Sequence, residues 1–338
     1  MGADCRVRRL PIQGVSVRDN SGVEWCDATW NPVRRCDDGE GRLDPGLVPS
    51  RLTEPFGWKE RLRICVNPIS DLFQDCVADS SIDRVFAVMA LAPRHTFAVL
   101  TKQAARMRTY LSDGALFTRI VEACNRAADG SEAVSHETPN LTTLSRAVRR
   151  ERHWMHWPLS NVWLGVSVED QHVADERVPL LLRTPAAVRF VSCEPLLGAL
   201  DLRHYMGLDG TNSRDFRERQ EGGHDQRSDE FTGRSTSGER RHAPDAGLHW
   251  VIVGGESGPG ARPLHLAWAR SLVAQSRGAG VAVFVTQLGG RAETNVGRDL
   301  NGRRARGDRW LVSRNKRGGD MSEWPEDLRV REFPDGHL

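Results

Sequence analysis

Short apolar runs that end in polar residues and lead into helix-like stretches recur along the chain, and this recurrence restricts the fold more than any other feature. The clearest case is residues 249–263 (HWVIVGGESGPGARP), where a β-branched run stops at a Gly-Gly pair and a Gly/Pro-rich turn precedes a helix-like stretch. Similar runs occupy residues 63–66, 95–100, 161–168, 187–193 and 281–285. Such alternation of strands and helices predicts an α/β fold whose parallel strands are joined by right-handed crossovers.

The positions of the polar residues favour a (β/α) barrel of the TIM type, complete or incomplete and carrying polar insertions, over a doubly wound sheet. In a barrel, the carboxyl ends of the strands meet at one mouth, where active sites lie. We therefore predict a site at this mouth. It consists of residues that end or closely follow the apolar runs: Asn67, Asp71, Lys102, Ser167, Glu169, Ser192, Glu194, Gly254, Gly255, Glu256, Ser257 and Gln287.

These side chains are compatible with more than one chemistry. We assign catalytic roles to Lys102, Glu169, Glu194 and Glu256, and ligand-binding roles to the other residues of the predicted site. The glutamates suit general acid–base catalysis or the binding of a divalent ion, but they equally suit a structural network with Lys102 and nearby arginines. The backbone amides of the GGESGPG loop suit a phosphate or a nucleoside. The sequence contains no P-loop, HExxH motif, nucleophile elbow or zinc-ribbon spacing.

Composition divides the chain into three parts. Residues 1–22 predict an N-terminal arm or an edge strand, residues 23–288 the barrel, and residues 289–338 an Arg/Gly-rich C-terminal tail. Within the barrel, residues 113–157 predict a peripheral helical excursion. Its end, RRERHWMHWP, suits either stacking on nucleic-acid bases or capping of the barrel. Residues 203–246 are rich in charged residues, Gly and Ser, and predict a disordered insertion.

The sequence also excludes some classes of protein. It has no apolar run of about 18 residues, and its first residues lack the apolar core of a signal peptide, so we predict a cytoplasmic protein without a membrane partner. The seven cysteines are scattered and form no CxxC pair, which predicts reduced thiols and no disulfide framework. The formal net charge of +2 neither supports nor opposes a nucleic-acid partner. The oligomeric state is not indicated.

Several segments together resemble a phage-associated family of unknown function that occurs in bacteria and mycobacteriophages. They span most of residues 23–288 and read EWCDATWNP, VNPISDLF, IDRVFAVMALAPRHTFAVLTK, NVWLGVSVED, RFVSCEPLLG and WVIVGGESGPGARP. That family looks like a divergent radical-SAM-type barrel, and its members usually carry a cysteine cluster after the ATWNP segment. The resemblance implies a barrel whose mouth suits an iron–sulfur cluster held by three thiolates.

The chain departs from the family pattern at these cysteines. Cys36 matches the first cysteine of the cluster, but the residues that follow contain no other, and Cys26 is the nearest thiol upstream. Thr286 and Leu288 stand where relatives have a lysine and a tryptophan. We therefore expect no ordinary iron–sulfur cluster. Cys36 and Cys26 are candidate metal ligands, and zinc and SAM are candidate cofactors.

These observations lead to three hypotheses about function. The first is a cluster-less barrel that acts as a nucleic-acid- or ribosome-associated binding or regulatory protein. The second is an enzyme of nucleic-acid modification or repair that uses SAM, an iron–sulfur cluster or a divalent metal at the mouth. The third is a scaffold for a catalytic partner, with residues 203–246 and the basic tail as its contacts.

Overall fold

The computed structural model of the chain describes residues 17–18, 24–33, 47–68, 70–129, 157–207, 247–293, 310–311, 315 and 317–334. Most of the predicted arm and insertion lies outside these residues, as do Cys36 and residues 130–156 of the predicted helical excursion. For Cys26 the backbone is described and the side chain is not.

The main sheet is the centre of the fold. The strands of the chain are β1 (Val17–Arg18), β2 (Glu24–Trp30), β3 (Leu62–Val66), β4 (Thr96–Thr101), β5 (Val162–Ser167), β6 (Val188–Cys193), β7 (Trp250–Gly254), β8 (Leu264–His265), β9 (Ala282–Gln287), β10 (Ala292–Glu293) and β11 (Trp310–Leu311). The main sheet has eight strands in the order β1-β2-β3-β4-β5-β6-β7-β9. β1 is antiparallel to β2, and the seven strands from β2 to β9 are all parallel.

This sheet is curled into a half-barrel that alternates with helices, so the prediction of an incomplete TIM-like barrel is confirmed. The short strands β8, β10 and β11 form a separate sheet. The helices are α1 (Pro49–Leu52), α2 (Glu54–Gly57), α3 (Asp79–Leu91), α4 (Ala104–Leu111), α5 (Leu116–Asp129), α6 (Gln171–Leu182) and α7 (Leu266–Gly278). Short 3-10 helices occupy Arg203–Met206, Met321–Glu323 and Glu326–Leu328.

The two faces of the sheet have different cores, because side chains alternate between the faces along each strand. The outer face packs against the helices; along β5 it carries Val162, Leu164 and Val166, all buried. The inner face carries an aromatic cluster, which we call the aromatic floor: Trp163, Phe190, Trp250, Phe284 and, from the C-terminal segment, Phe333.

A glycine makes the aromatic floor possible. A Cβ atom at Gly165 would lie 2.3 Å from the ring of Phe190, which is far inside van der Waals contact. Any larger residue at position 165 of β5 would therefore push the Phe190 ring out of its place beside this strand. The concave face is thus filled by aromatic side chains away from the carboxyl ends of the strands. Its polar part lies at those carboxyl ends.

The described part of the C-terminal segment is integrated into the fold. Val330 accepts a hydrogen bond from the N–H of Val285, and the N–H of Glu332 donates to Val283, both at 2.9 Å. These bonds add an extended segment to the edge of β9. Trp324 and Leu328 are buried beside it.

The structure bears on two predictions about the class of protein, one on membrane helices and one on the cysteines. No helix within the described residues combines the length and the apolar character that a membrane crossing needs. Among the described cysteines, Cys65, Cys124 and Cys193 are free, whereas Cys76 is disulfide-bonded. The prediction that all thiols are reduced is therefore wrong at Cys76, because spacing along the sequence does not reveal which cysteines meet in the fold.

Candidate functional site

The structure brings the predicted site residues to one edge of the sheet, at the carboxyl ends of the strands. We call this edge the mouth of the half-barrel. Residues that end a strand are Ser167, Gly254 and Gln287, and Ser192 is the last but one of β6. Those that follow a strand are Asn67, Asp71, Lys102, Glu169, Glu194, Gly255, Glu256 and Ser257.

Asp71 holds the loop after β3 against the end of β4. Its Oδ1 accepts hydrogen bonds from the hydroxyl of Thr101 at 2.6 Å and from the N–H of Phe73 at 2.9 Å. Its Oδ2 accepts the N–H of Lys102 at 2.7 Å. Both carboxylate oxygens are therefore engaged in shaping the mouth, which is a positioning role.

Lys102, Glu169 and Arg177 form an ion-pair network across the ends of β4 and β5. Lys102 Nζ lies 2.7 Å from Glu169 Oε1, and Arg177, from α6, lies 4.0 Å from Oε2 of the same glutamate. Arg177 also donates to the backbone oxygen of Ser167 at 2.8 Å. Glu169 is mostly buried while the Lys102 side chain is 59% exposed, so the pair presents a cation to solvent.

Glu256 makes a second pair within the Gly-rich turn after β7. Arg262 donates to Glu256 Oε2 through its Nε at 2.8 Å and through its backbone N–H at 2.9 Å. These bonds lower the pKa of Glu256 below its ordinary value, and the same partner raises the pKa of Arg262. The charge of Glu169 also acts on Arg262. The two networks are therefore electrostatic neighbours.

Sequence reasoning did not single out Arg177 or Arg262. Arg262 follows Glu256 by six residues in the same turn, and an opposite charge at that distance in a Gly/Pro-rich turn was the available signal. Arg177 had no such signal, since it reaches Glu169 from the helix α6.

Glu194 differs from the other carboxylates because its partners are neutral. Thr286 Oγ1 donates to Glu194 Oε1 at 3.0 Å, and Gln287 Nε2 lies 3.4 Å from the same oxygen. Burial raises the pKa of Glu194 above its ordinary value, although these two hydrogen bonds act in the opposite direction. A carboxyl group of this kind holds a proton more readily than an exposed one, which is the property of a general acid or base.

Gly254 is needed for this arrangement. A Cβ atom there would lie 2.4 Å from Thr286 Oγ1 and 3.0 Å from Glu194 Cγ. In the structure Gly254 provides the room in which Glu194 meets Thr286. The ligand-binding role of this residue stays a prediction.

The Gly255 backbone is also occupied by protein contacts. Its N–H donates to the backbone oxygen of Gln287 at 3.0 Å, and its oxygen accepts from the Gln287 side chain at 3.1 Å. This N–H is committed to the sheet rather than presented to a phosphate. Ser257, in contrast, is exposed at the rim of the mouth.

Some polar atoms at the mouth are buried and have no hydrogen-bond partner among the residues that the structure describes. They are Oε1 of Gln287, Nδ2 and Oδ1 of Asn67, Oδ1 of Asn31 and Nε of Arg177. Asn31 follows β2 directly and was not among the predicted site residues. Ser167 and Ser192, on the inner face between these amides, are buried as well.

The described residues do not provide a metal site. Among them, no group of three or more His, Cys, Asp or Glu side chains could hold a metal ion. Of the predicted ligands, Cys36 lies outside the described residues, and the side chain of Cys26 is not described. At the mouth itself, the carboxylates are separated by their own cations and hydrogen-bond donors.

Comparison with known proteins identifies a family whose function is unknown. The sequence profile of a family described as "Protein of unknown function (DUF5131)" matches residues 42–313, which is most of the chain. No curated protein and no solved structure matches the sequence.

Proposed function

The chain belongs to this DUF5131 family of unknown function, and from that premise we propose that it binds a nucleotide or a nucleic-acid strand at the mouth, as a nucleic-acid-associated binding or regulatory protein. The observation that supports this most is the pair of half-exposed cations at the mouth. The side chains of Lys102 and Arg262 are 59% and 56% exposed, and glutamates hold both in place.

The ion pairs at the mouth are of a kind that a ligand can exchange. A surface salt bridge contributes only about 0–1 kcal/mol, so exchanging Glu256 for a phosphate oxygen costs Arg262 little. The mostly buried Glu169 still has Arg177 beside it when Lys102 contacts a phosphate. Arginine binds phosphate in a bidentate manner, and lysine binds it as a point charge. Glu169 and Glu256 therefore keep Lys102 and Arg262 oriented until an anionic ligand arrives.

The test is the salt dependence of binding to labelled single-stranded RNA and DNA of mixed sequence. Log K falls with log salt, and each lost phosphate contact makes this negative slope shallower by about 0.7 for single strands. The double variant Lys102→Gln/Arg262→Gln should therefore make it shallower by roughly 1.4. Arg277→Gln is the matched control. Arg277 is 55% exposed and pairs with Glu332, but it lies in the last turn of α7, away from the mouth.

Two outcomes would contradict the proposal. One is that the wild-type protein shows no salt-dependent binding to RNA or DNA in any form. The other is that the double variant keeps the wild-type slope, which would place any nucleic-acid contact elsewhere on the molecule.

A second candidate function is an enzyme of nucleic-acid modification, and the observation that favours it is the raised pKa of Glu194. A glutamate whose pKa is raised holds its proton to a higher pH than an exposed glutamate does, and a proton held in this way is available to a bound base or leaving group. Gln287 and Thr286 orient this carboxyl. This second function requires Glu194 to hold a proton more readily than an exposed glutamate. The pH dependence of the free energy of unfolding tests whether it does.

We also propose that the half-barrel is a divergent barrel of the radical-SAM type, of phage-associated origin, that works in the cytoplasm without an iron–sulfur cluster. Seven parallel strands in an open, curled sheet support this relationship. Cys36 stands without the other cysteines of the family cluster. We therefore expect no radical chemistry that depends on the three thiolates of the family cluster.

A further inference from the structure

Asn31 and Asn67, which we call the amide pair, occupy equivalent positions on neighbouring strands. Each is the first residue after its strand, and each precedes a proline. The N–H of Asn67 donates to the backbone oxygen of Trp30 at 2.8 Å, which ties the two strand ends together. The side chains of Trp30 and Val66 belong to the outer core. The amide pair comes one residue further along the chain from each of them, at the mouth, where the carboxyl ends of β2 and β3 lie side by side.

The amide of Asn67 is buried without using its hydrogen-bonding capacity. The residue is 2% exposed, and neither Nδ2 nor Oδ1 has a hydrogen-bond partner among the described residues. Oδ1 of Asn31 is in the same situation. Buried polar atoms are nearly always paired, because leaving them unpaired costs free energy.

The backbone of Asn67 carries a second cost. Its φ is 49°, in the left-handed region, and it is the only non-glycine residue with positive φ among those described. A following proline further restricts the residue before it to extended conformations. Backbone strain and unpaired buried atoms in one residue are typical of a functional site, where binding of a ligand offsets their free-energy cost.

From these observations we propose that the amide pair is a subsite that recognises the hydrogen-bonding edge of a nucleobase. This inference rests on the proposed nucleotide-binding function and identifies the part of the ligand that the strand ends β2 and β3 contact. An asparagine amide presents one donor beside one acceptor. It therefore matches a base edge that carries an acceptor beside a donor, as in the pairing of asparagine with bases in nucleic-acid recognition.

The neighbouring strand supplies the other half of the ligand site. Lys102 follows β4, which pairs with β3. A nucleotide whose phosphate contacts Lys102 thus has the amide pair beside it, on the same edge of the sheet. The charged part of the ligand is bound by exposed cations and the uncharged base by buried amides.

The experiment compares ligands that differ by a single donor. Binding of adenosine is measured against purine riboside, which lacks the amino group, and binding of uridine against N3-methyluridine, which lacks the N–H. Nicotinamide is included because a carboxamide has the same donor–acceptor edge. In the wild-type protein, the intact nucleoside of at least one pair should bind roughly 5- to 150-fold more tightly than its analogue, the range expected for one good bidentate contact.

Asn67→Gly should abolish this preference, so that the ratio of affinities within the pair falls to about 1. The variant should fold, because glycine adopts positive φ without strain, and its Tm should equal or exceed that of the wild type. Asn31→Ala is the second variant and should lower the same ratio. Asn161→Ala is the control, because the Asn161 amide donates to the backbone oxygen of Met89 at 2.9 Å and is already satisfied. It should lower Tm and leave the ratio unchanged.

Equal binding of both members of each pair, or a preference that survives Asn67→Gly, would overturn the subsite. If salt-dependent nucleic-acid binding persists in that case, only the subsite fails and the proposed function stands. Binding of nicotinamide with no nucleoside bound would also overturn it, in favour of a carboxamide site. If the wild-type protein binds no nucleotide or nucleic acid at all, both proposals fail together.

Discussion

At the scale of single residues, the glutamates of the mouth are distinguished by their partners. Glu256 is held by the guanidinium of Arg262, which lowers the pKa of Glu256. Glu194 is surrounded by neutral donors and by the neighbouring strands, and burial raises its pKa. Both residues follow apolar runs in the same way, yet their environments give them opposite tendencies to bind a proton.

This contrast predicts a pH dependence of unfolding. The folded pKa of Glu194 lies above the ordinary value of 4.5, so between these two pH values the folded state binds more protons than the unfolded state. Stability then falls as pH rises through that window. Glu194→Gln removes the effect, and its free energy of unfolding relative to the wild type should increase from about pH 4.5 upward and then level off. Urea unfolding at a series of pH values measures it.

Glu256→Gln is the control of opposite sign. The lowered pKa of Glu256 contributes stability that is present above the ordinary pKa and is lost as pH falls through the folded value. The variant should therefore be less stable than the wild type at neutral pH and equal to it in acid. If the free energies of unfolding of Glu194→Gln and the wild type instead changed in parallel with pH, the pKa of Glu194 would not be raised. The proposal of an enzyme would then lose its supporting observation.

The sequence predicted the location of both glutamates but not their states. A carboxylate after an apolar run is visible in the sequence, because strand ends can be found from local periodicity. The partners of Glu194 come from β9, more than ninety residues further along. Which donors meet a carboxyl across strands depends on the register of the whole sheet, and one sequence does not give that register.

At the scale of elements, the C-terminal segment completes the open side of the half-barrel. Phe333 lies 5.4 Å from Trp250 and 5.2 Å from Phe284, measured between ring centroids, and the guanidinium of Arg63 lies 3.4 Å above its ring. β3 and the edge of β9 are thus linked through a side chain of the last described residues. The sequence indicated only an Arg/Gly-rich C-terminal tail.

We predict that Phe333→Ala destabilises the protein by about 1–3 kcal/mol, which is less than the cost for a fully buried phenylalanine because Phe333 is partly exposed. Phe117→Ala is the matched control. Phe117 lies on α5 and is 43% exposed, so its loss should change stability by no more than about 0.5 kcal/mol. Denaturant unfolding followed by tryptophan fluorescence measures both, since Trp250 is next to Phe333. Equal effects of the two substitutions would mean that the segment does not stabilise the barrel.

At the scale of the whole molecule, the strand–helix alternation was enough to predict the fold class. Parallel strands with apolar residues on both faces give continuous apolar runs, and their order in space follows their order in the chain. How the sheet ends was not predictable in the same way. The edge of β9 is covered by residues 329–333, which lie far from it in sequence, so local patterns do not reveal that the two segments meet.

The last prediction concerns the metal content of the complete protein. If the proposed barrel works without an iron–sulfur cluster, protein purified without oxygen should contain no stoichiometric iron and no acid-labile sulfide. The residues that directly follow Cys36 include no other cysteine, and the described residues offer no group of three ligands. Elemental analysis, a sulfide assay and the UV–visible spectrum measure this, with Cys36→Ser as the control.

Iron with sulfide that is lost in Cys36→Ser would restore a radical enzyme that uses other ligands, Cys26 among the candidates. Stoichiometric zinc would instead indicate a metal-stabilised binding protein. A metal-free protein that binds nucleotides would leave the mouth, with its exposed cations and buried amides, as the site that carries the function.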